Sequence, residues 1–211
     1  MFLREKGKTI MERTKPHALS PDIQHKLENL QSYVVLDVET TGFDPRNNRI
    51  IEIGMIKVTD GKETDTFSSF INPGSPIPPH ITTLTGITDD DVSSAPFFDE
   101  IANEIVSFMG EAIIVGHNVQ FDIGFMQSEF IHCSIRKDFE YLDTLALARK
   151  AFPNLKSHKL SNLIAHLGFK ENQSHRALDD ARWTFKVLSS LREFYVASPK
   201  QQRKIEICYE K

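Results

Sequence analysis

Tyr33 to Gly42, YVVLDVETTG, begins with four β-branched, aromatic or aliphatic residues, Tyr33-Val34-Val35-Leu36, the composition of a strand covered on both faces in the middle of a sheet. Asp37 and Glu39 follow directly. Strand side chains alternate, so both carboxylates project from one face at the strand's end. Like charges at the edge of a core repel each other and resist desolvation unless a cation lies between them. A hard divalent ion such as Mg²⁺ suits that position. An arbitrary D-x-E is more often a pair of solvated acids opening a polar turn, here Thr40-Thr41-Gly42, so the motif needs partners elsewhere.

The chain has 211 residues, enough for one domain with a sizeable core. Its 40% hydrophobic and 26% charged content is that of a globular protein. Cys133 and Cys208 are its only cysteines, which excludes a disulfide framework and a C-x-x-C site. No apolar run approaches a membrane span, and charge breaks up the N-terminal residues before an apolar signal core can form. A cytoplasmic protein without membrane attachment is expected. The net charge of −4 argues against a general nucleic-acid coat. It leaves room for an enzyme that grips a nucleic-acid end through metals and a local basic stretch.

Residues 1–18 carry no convincing period and read as a mobile arm. Ser20-Pro21-Asp22 then gives an N-cap, a first-turn proline and a first-turn acid ahead of Ile23, Leu27 and Leu30, a short amphipathic helix expected to pack on its own domain. After a turn at Phe43–Asn48, residues 49–58 read as a second strand. Asp60-Gly61 marks a hairpin, and 64–71 is the returning strand. Residues 72–79 are proline-rich and irregular, a helical turn covers 80–84, and Thr88 to Asp91 reads as capping and first-turn charge. Pro96 opens a helix with the stripe Phe97, Ile101, Ile105, Phe108. Residues 112–115 form a buried strand, and Gly116-His117-Asn118 leads into a helix over 119–132, where Asp122 lies among Phe121, Phe125 and Met126. An acid there is either a partner for a buried backbone amide or a metal ligand facing Asp37 and Glu39; the second explains its location better.

A short strand at 139–142 is followed by Asp143, the expected N-cap of a helix over 145–151. Arg149, Lys150, Lys156, Lys159 and His158 make the one local basic stretch, a candidate for holding phosphates. Another helix covers 160–167. In the last segment, SHRALDDARWTF onward, the stripe Ala177, Ala181, Phe185, Leu188 defines a buried face; Asp180 flanks it and reaches inward, Asp179 faces away, and His175 precedes the helix.

These stations resemble the DEDDh family of 3′→5′ exonucleases, most closely the proofreading exonuclease of bacterial DNA polymerase III, whether separate epsilon subunit or polymerase-fused domain. Asp37 and Glu39 in LDVETTG match the first motif, Asp122 in GHNVQFDIGFM the second, and His175 with Asp180 in HRALDD the third, H-x-A-x-x-D. Arg176 stands where a tyrosine-type relative would carry Tyr, so the histidine subtype is implied. The resemblance covers about residues 31–195. It implies a ribonuclease H-like α/β fold, a five-stranded mixed sheet flanked by helices on both faces, with an extension at 1–30, the exonuclease domain at 31–197 and a tail at 198–211.

On this resemblance two divalent ions, Mg²⁺ or Mn²⁺, are the expected cofactors. Asp37 is expected to bridge both, Glu39 and Asp180 to complete the site that activates water, Asp122 to serve the other, and His175 to act as general base. The backbone at Thr40, Thr41 and Gly42 is expected to approach the terminal nucleotide. Phe43 would pack on its base, and Asn118 and Phe121 would lie near the substrate; Phe43 and Phe121 as plain core residues is the competing reading. The expected partner is a nucleic-acid 3′ end, single-stranded or frayed DNA with RNA as the alternative, and a DNA polymerase beside it. A non-catalytic scaffold is the reading from another class, and the intact acids and histidine argue against it.

Overall fold

The computed structural model describes residues 17–170 and 176–196. Its organising strand, β1 (Ser32–Thr40), does not stop at Leu36 but carries Asp37 and Glu39 within the sheet. Backbone pairing explains why. β2 (Ile50–Thr59) runs antiparallel along the whole of β1, setting Asp37 opposite Gly54 and Glu39 opposite Glu52, with an irregularity only between Glu39 and Thr40. β3 (Lys62–Phe70) returns from the Asp60-Gly61 hairpin, where both residues have positive φ, 50° and 72°, as a tight two-residue hairpin turn requires. β4 (Ile113–Gly116) and β5 (Tyr141–Asp143) complete a five-stranded sheet of order β3-β2-β1-β4-β5, antiparallel on the β3 side and parallel on the β5 side.

The helices are α1 (Pro21–Asn29), α2 (Pro79–Thr85), α3 (Asp89–Val92), α4 (Phe98–Met109), α5 (Gln120–His132), α6 (Thr144–Ala151), α7 (Leu160–His166) and α8 (Ala177–Val196). The period of two along β1 divides the core between the two faces of the sheet. Tyr33 and Val35 pack with Leu27 of α1, Leu147 of α6, Leu163 of α7 and Leu188 of α8. Val34, Leu36 and Val38 pack with Phe98 and Ile105 of α4 and Phe125 and Met126 of α5. The same alternation carries Asp37 and Glu39 onto the α8 face. A smaller cluster of Ile51, Ile77, Ile81, Ile87 and Val92 closes the irregular segment and α2–α3 onto β2; Thr88 and Asp91 cap α3 reciprocally, as the acid run suggests.

Two readings change. The buried stripe of α4 is Phe98, Ala102, Ile105 and Met109; it shares Ile105 with the expected one, Ile101 and Phe108 pack at its margin, and Phe97 is the N-cap and is exposed. Both frames fit a helical period, and packing against α5, where Phe98 meets the Phe130 ring, selects between them. On α8 the buried face includes Thr184 and Val187, and Phe185 is only partly buried, packed at the margin of the core. Residues 1–16 of the expected arm lie outside the described residues, but His17 donates its backbone amide to the Lys150 carbonyl at 2.9 Å. α1 packs on its own domain: Leu27 and Leu30 are buried, and the Arg192 guanidinium donates to the Glu28 carbonyl. Among the described residues no helix is long and apolar enough to cross a membrane.

Candidate active site

Asp37 and Glu39 on β1 meet Asp180 in the first turn of α8, with one carboxylate oxygen from each lying within 4.8 Å of the others. Hard cations are held by oxygens converging in this way. Two residues of β2 let α8 come so close. Gly54 lies opposite Asp37, and a side chain there would run into the backbone of Ala177 and Leu178. Glu52, opposite Glu39 and 1% exposed, accepts from Arg176 Nε on Oε1 at 2.9 Å and from the Ala177 amide on Oε2 at 3.2 Å. The sequence reading did not single out either residue. The signal lay in a lone acid and a glycine within the otherwise apolar run IIEIGMI, residues 50–56, with an arginine next to His175.

Asp122 reaches the site from the other layer. It sits in the first turn of α5, whose apolar residues pack beneath Val38, and its Oδ1 accepts the Val38 amide at 3.1 Å. It is 4% exposed and is not one of the three mutually close acids. The two readings of Asp122 are therefore compatible, because one oxygen fixes the backbone link between Asp37 and Glu39 while the carboxyl remains beside them.

Burial raises Asp37 well above the usual carboxylate range, and repulsion from Asp122, Asp180, Glu39 and Glu52 adds to it. Burial, then Asp180 and Glu52, push Glu39 up to about 8. Burial also raises Asp122, against the opposing Val38 hydrogen bond. Without a cation the folded protein therefore keeps protons on this cluster that the unfolded chain releases near the ordinary carboxylate values of 3.8 and 4.5. Since the native state then binds more protons, stability falls as pH rises from about 4 towards 8. We expect the Tm of EDTA-treated protein to decline through this window relative to Asp37→Asn, and the gain from added Mg²⁺ or Mn²⁺ to be larger at pH 8 than at pH 5.5. A metal-induced gain independent of pH would contradict the raised carboxyls.

At the open end of β1 the turn is built from its own polar groups. Thr40 is buried and donates Oγ1–H to the Gly42 carbonyl, and the Thr41 hydroxyl accepts the Arg49 amide at 3.0 Å. A side chain at Gly42 would collide with the Asn48 amide group. Phe43, next along, is 73% exposed, so it is not a core residue. Phe121 is partly buried and packs on Phe125 with ring centroids 5.0 Å apart. Asn118 has a φ of 66° and donates its amide to Asp143 Oδ1 at 2.9 Å; asparagine tolerates that left-handed conformation. Asp143 also caps α6 through the Leu145 amide, as expected.

His175 lies outside the described residues. Of the basic stretch, Arg149 and Lys150 lie in the last turn of α6, and the segment that follows is tied to the end of β4 by His117, to which the sequence reading gave no role. The His117 ring lies 3.0 Å from Thr144 Oγ1 through Nδ1 and 2.8 Å from the His158 carbonyl through Nε2. Burial lowers the His117 pKa.

Comparison with known proteins agrees with this geometry. The RNase T family model, described as exonuclease, matches residues 34–188. The chain is 42% identical to a PolC-type DNA polymerase III of Clostridium perfringens over 156 residues, 74% of this chain and 11% of that protein. It is 38% identical to the DNA polymerase III epsilon subunit of Aquifex aeolicus, covering 77% of this chain and 81% of the subunit. It is 37% identical to the 3′-5′ exonuclease DinG of Bacillus subtilis, covering 84% of this chain and 20% of that one. The chain thus spans only about a tenth of the PolC-type polymerases.

Among solved structures, exonuclease X in complex with 5′ overhanging duplex DNA superposes with a TM-score of 0.63 at 24% identity, over 82% of this chain and 98% of that one. The nuclease domain of 3′hExo, a DEDDh family member bound to rAMP, superposes with a TM-score of 0.66 at 18% identity, over 77% and 91% of the two chains. These likenesses show the fold of this chain, a ribonuclease H-like arrangement of a five-stranded mixed sheet between helices. With its sheet, its acidic cluster and a family match running from Val34 to Leu188, the chain belongs to the RNase T exonuclease family, with the DEDDh exonuclease fold.

Proposed function

We propose that the protein is a metal-dependent 3′→5′ exonuclease that hydrolyses the terminal phosphodiester of DNA to nucleoside 5′-monophosphates, in proofreading or repair beside a DNA polymerase. The observation that carries this reading is the convergence of Asp37, Glu39 and Asp180 with Asp122 buried alongside, where burial holds protons on Asp37, Glu39 and Asp122 that a bound cation would displace. Likeness to the epsilon subunit, most of whose length the chain covers, supports it.

Asp37, Glu39 and Asp180 hold one side of the site, and Asp122 fixes the strand between the first two while presenting its carboxyl to a second position. Two divalent ions, Mg²⁺ or Mn²⁺, held there would stabilise charge on the attacking and leaving oxygens and supply a nucleophile at neutral pH. His175 takes the proton from the attacking water, an imidazole being suited to that near pH 7. Thr40, Thr41 and Gly42 offer backbone to the terminal nucleotide, with Asn118 and Phe121 along its path. The basic groups Arg149, Lys150, Lys156 and Lys159 face the upstream phosphates.

Phe43, already exposed, stacks on the last base. Phe43→Ala is expected to weaken oligonucleotide binding by ~1–3 kcal/mol and to leave the Tm unchanged, measured by fluorescence anisotropy and calorimetry. His175→Ala is expected to lower kcat by about 10²-fold with binding intact; an unchanged kcat would remove the base assignment.

The deciding experiment is a time course on 5′-labelled DNA and RNA oligonucleotides, single-stranded and with matched or mismatched 3′ ends, with Mg²⁺ or Mn²⁺. A metal-dependent ladder from the 3′ end of DNA, faster at mismatched ends, supports the proposal. A ladder on RNA alone reassigns the substrate, and no ladder on either leaves a non-catalytic scaffold.

A further inference from the structure

A single rung of the sheet connects the acidic cluster to the start of α8. Glu39 on β1 pairs with Glu52 on β2, and Glu52 pairs with Phe70 on β3. Over this rung lies Arg176. Its guanidinium carbon is 4.7 Å from the centre of the Phe70 ring, and its Nε and Nη2 both lie 2.9 Å from Glu52 Oε1. The second oxygen of Glu52 accepts the amide of Ala177, the first residue of α8. Glu52 is 1% exposed, so leaving this carboxylate unpaired would be costly.

The pairing is therefore strongly enforced, and what it enforces is position: Arg176 follows His175 directly, and Asp180 lies one turn on, its amide bonded to the Arg176 carbonyl at 2.9 Å. The flat guanidinium is held on two sides, by a carboxylate and by a ring, which an ammonium cannot reproduce.

We infer that Glu52 and Arg176 are positioning residues for the exonuclease reaction, which rests on the function proposed above. By fixing the first turn of α8 against the sheet beside the strand that carries Glu39, the pair sets Asp180 at metal-binding distance from Asp37 and Glu39. Neither side chain touches substrate or carries out the chemistry in this reading; each acts through its neighbour.

The test is steady-state kinetics on a 5′-labelled single-stranded oligodeoxynucleotide, together with the Tm gain on adding Mn²⁺ to EDTA-treated protein. Glu52→Gln and Arg176→Gln should each lower kcat by at least about tenfold with KM for the oligonucleotide unchanged, and each should shrink the Mn²⁺-induced Tm gain. Because both act through one contact, the double variant should be little worse than either single one. Arg176→Lys, which keeps the charge but not the flat fork, should recover part of kcat.

Wild-type kcat together with a wild-type Mn²⁺ response in Arg176→Gln would overturn the inference, whatever the Tm of the metal-free variant. An unchanged Mn²⁺ gain with kcat lowered in strict proportion to the folded fraction would overturn it too, since that is what a purely structural salt bridge gives. If the wild type itself cleaved nothing, the proposed function would fall instead, a result visible before any variant is made.

Discussion

Asp37→Asn is expected to reduce nuclease activity by at least about 10³-fold, ~4 kcal/mol on the barrier, and at the same time to raise the Tm of the metal-free protein at pH 8. The two effects share one cause. Asp37 is held beside Asp122, Asp180, Glu39 and Glu52, and burial and their repulsion both oppose its ionisation. Asparagine keeps the shape, removes the charge and so relieves the neighbours, but it cannot balance a divalent cation. A loss of function that increases stability marks a group kept for chemistry and not for folding. With roughly 2–4 °C of Tm per kcal/mol for a chain of this size, the rise should be a few degrees in EDTA, smaller at pH 5.5, and reversed in Mn²⁺, where only the wild type gains. A metal-free Tm lowered by the substitution would show instead that the carboxylate supports the fold.

Gly54→Val is expected to damage both folding and turnover. The glycine faces the first turn of α8, and even a Cβ there would overlap the backbone of Ala177 and Leu178. Backbone cannot rotate away as the end of a side chain can, so the helix must lift from β2. Overpacking of this kind costs about 1–3 kcal/mol. Lifting α8 also carries Asp180 away from Asp37 and Glu39, and a misplacement of about 1 Å in a catalytic group costs about 10²-fold. Gly124→Ala is the contrast: on α5 the added Cβ meets only Pro45 Cγ at 3.7 Å, an ordinary contact, and alanine is favoured over glycine in a helix interior by about 1 kcal/mol. Circular-dichroism melts and single-turnover rates on the two variants separate these effects. A Gly54→Val protein with wild-type Asp180 function would mean that α8 does not rest on β2 as described.

Much of the site was legible because its strongest signals are local. Alternation along β1 places Asp37 and Glu39 on one face regardless of what covers them, and Asp180 follows from the phase of a long helix. Asp143 was identifiable as a cap because a cap bonds an amide two residues away. The stripe of α4 shows where such reasoning stops, since Phe97 and Phe98 fit the same helical period and only the tertiary packing, with Phe98 against Phe130 of α5, decides which is buried.

Sequence by itself determined the order and type of the elements around the acids, the shared face of Asp37 and Glu39, and the family resemblance carried by Asp37, Glu39, Asp122, His175 and Asp180. Tertiary structure decided that Asp122 enters from the opposite layer by binding the Val38 amide, that Phe43 stands in solvent, and that Glu52 and Gly54 seat α8. The physical reason is separation along the chain: strand and helix periods relate residues a few positions apart, whereas Arg176 meets Glu52 across 124 positions. No periodicity encodes that contact, and only the packing of α8 onto the sheet brings it about.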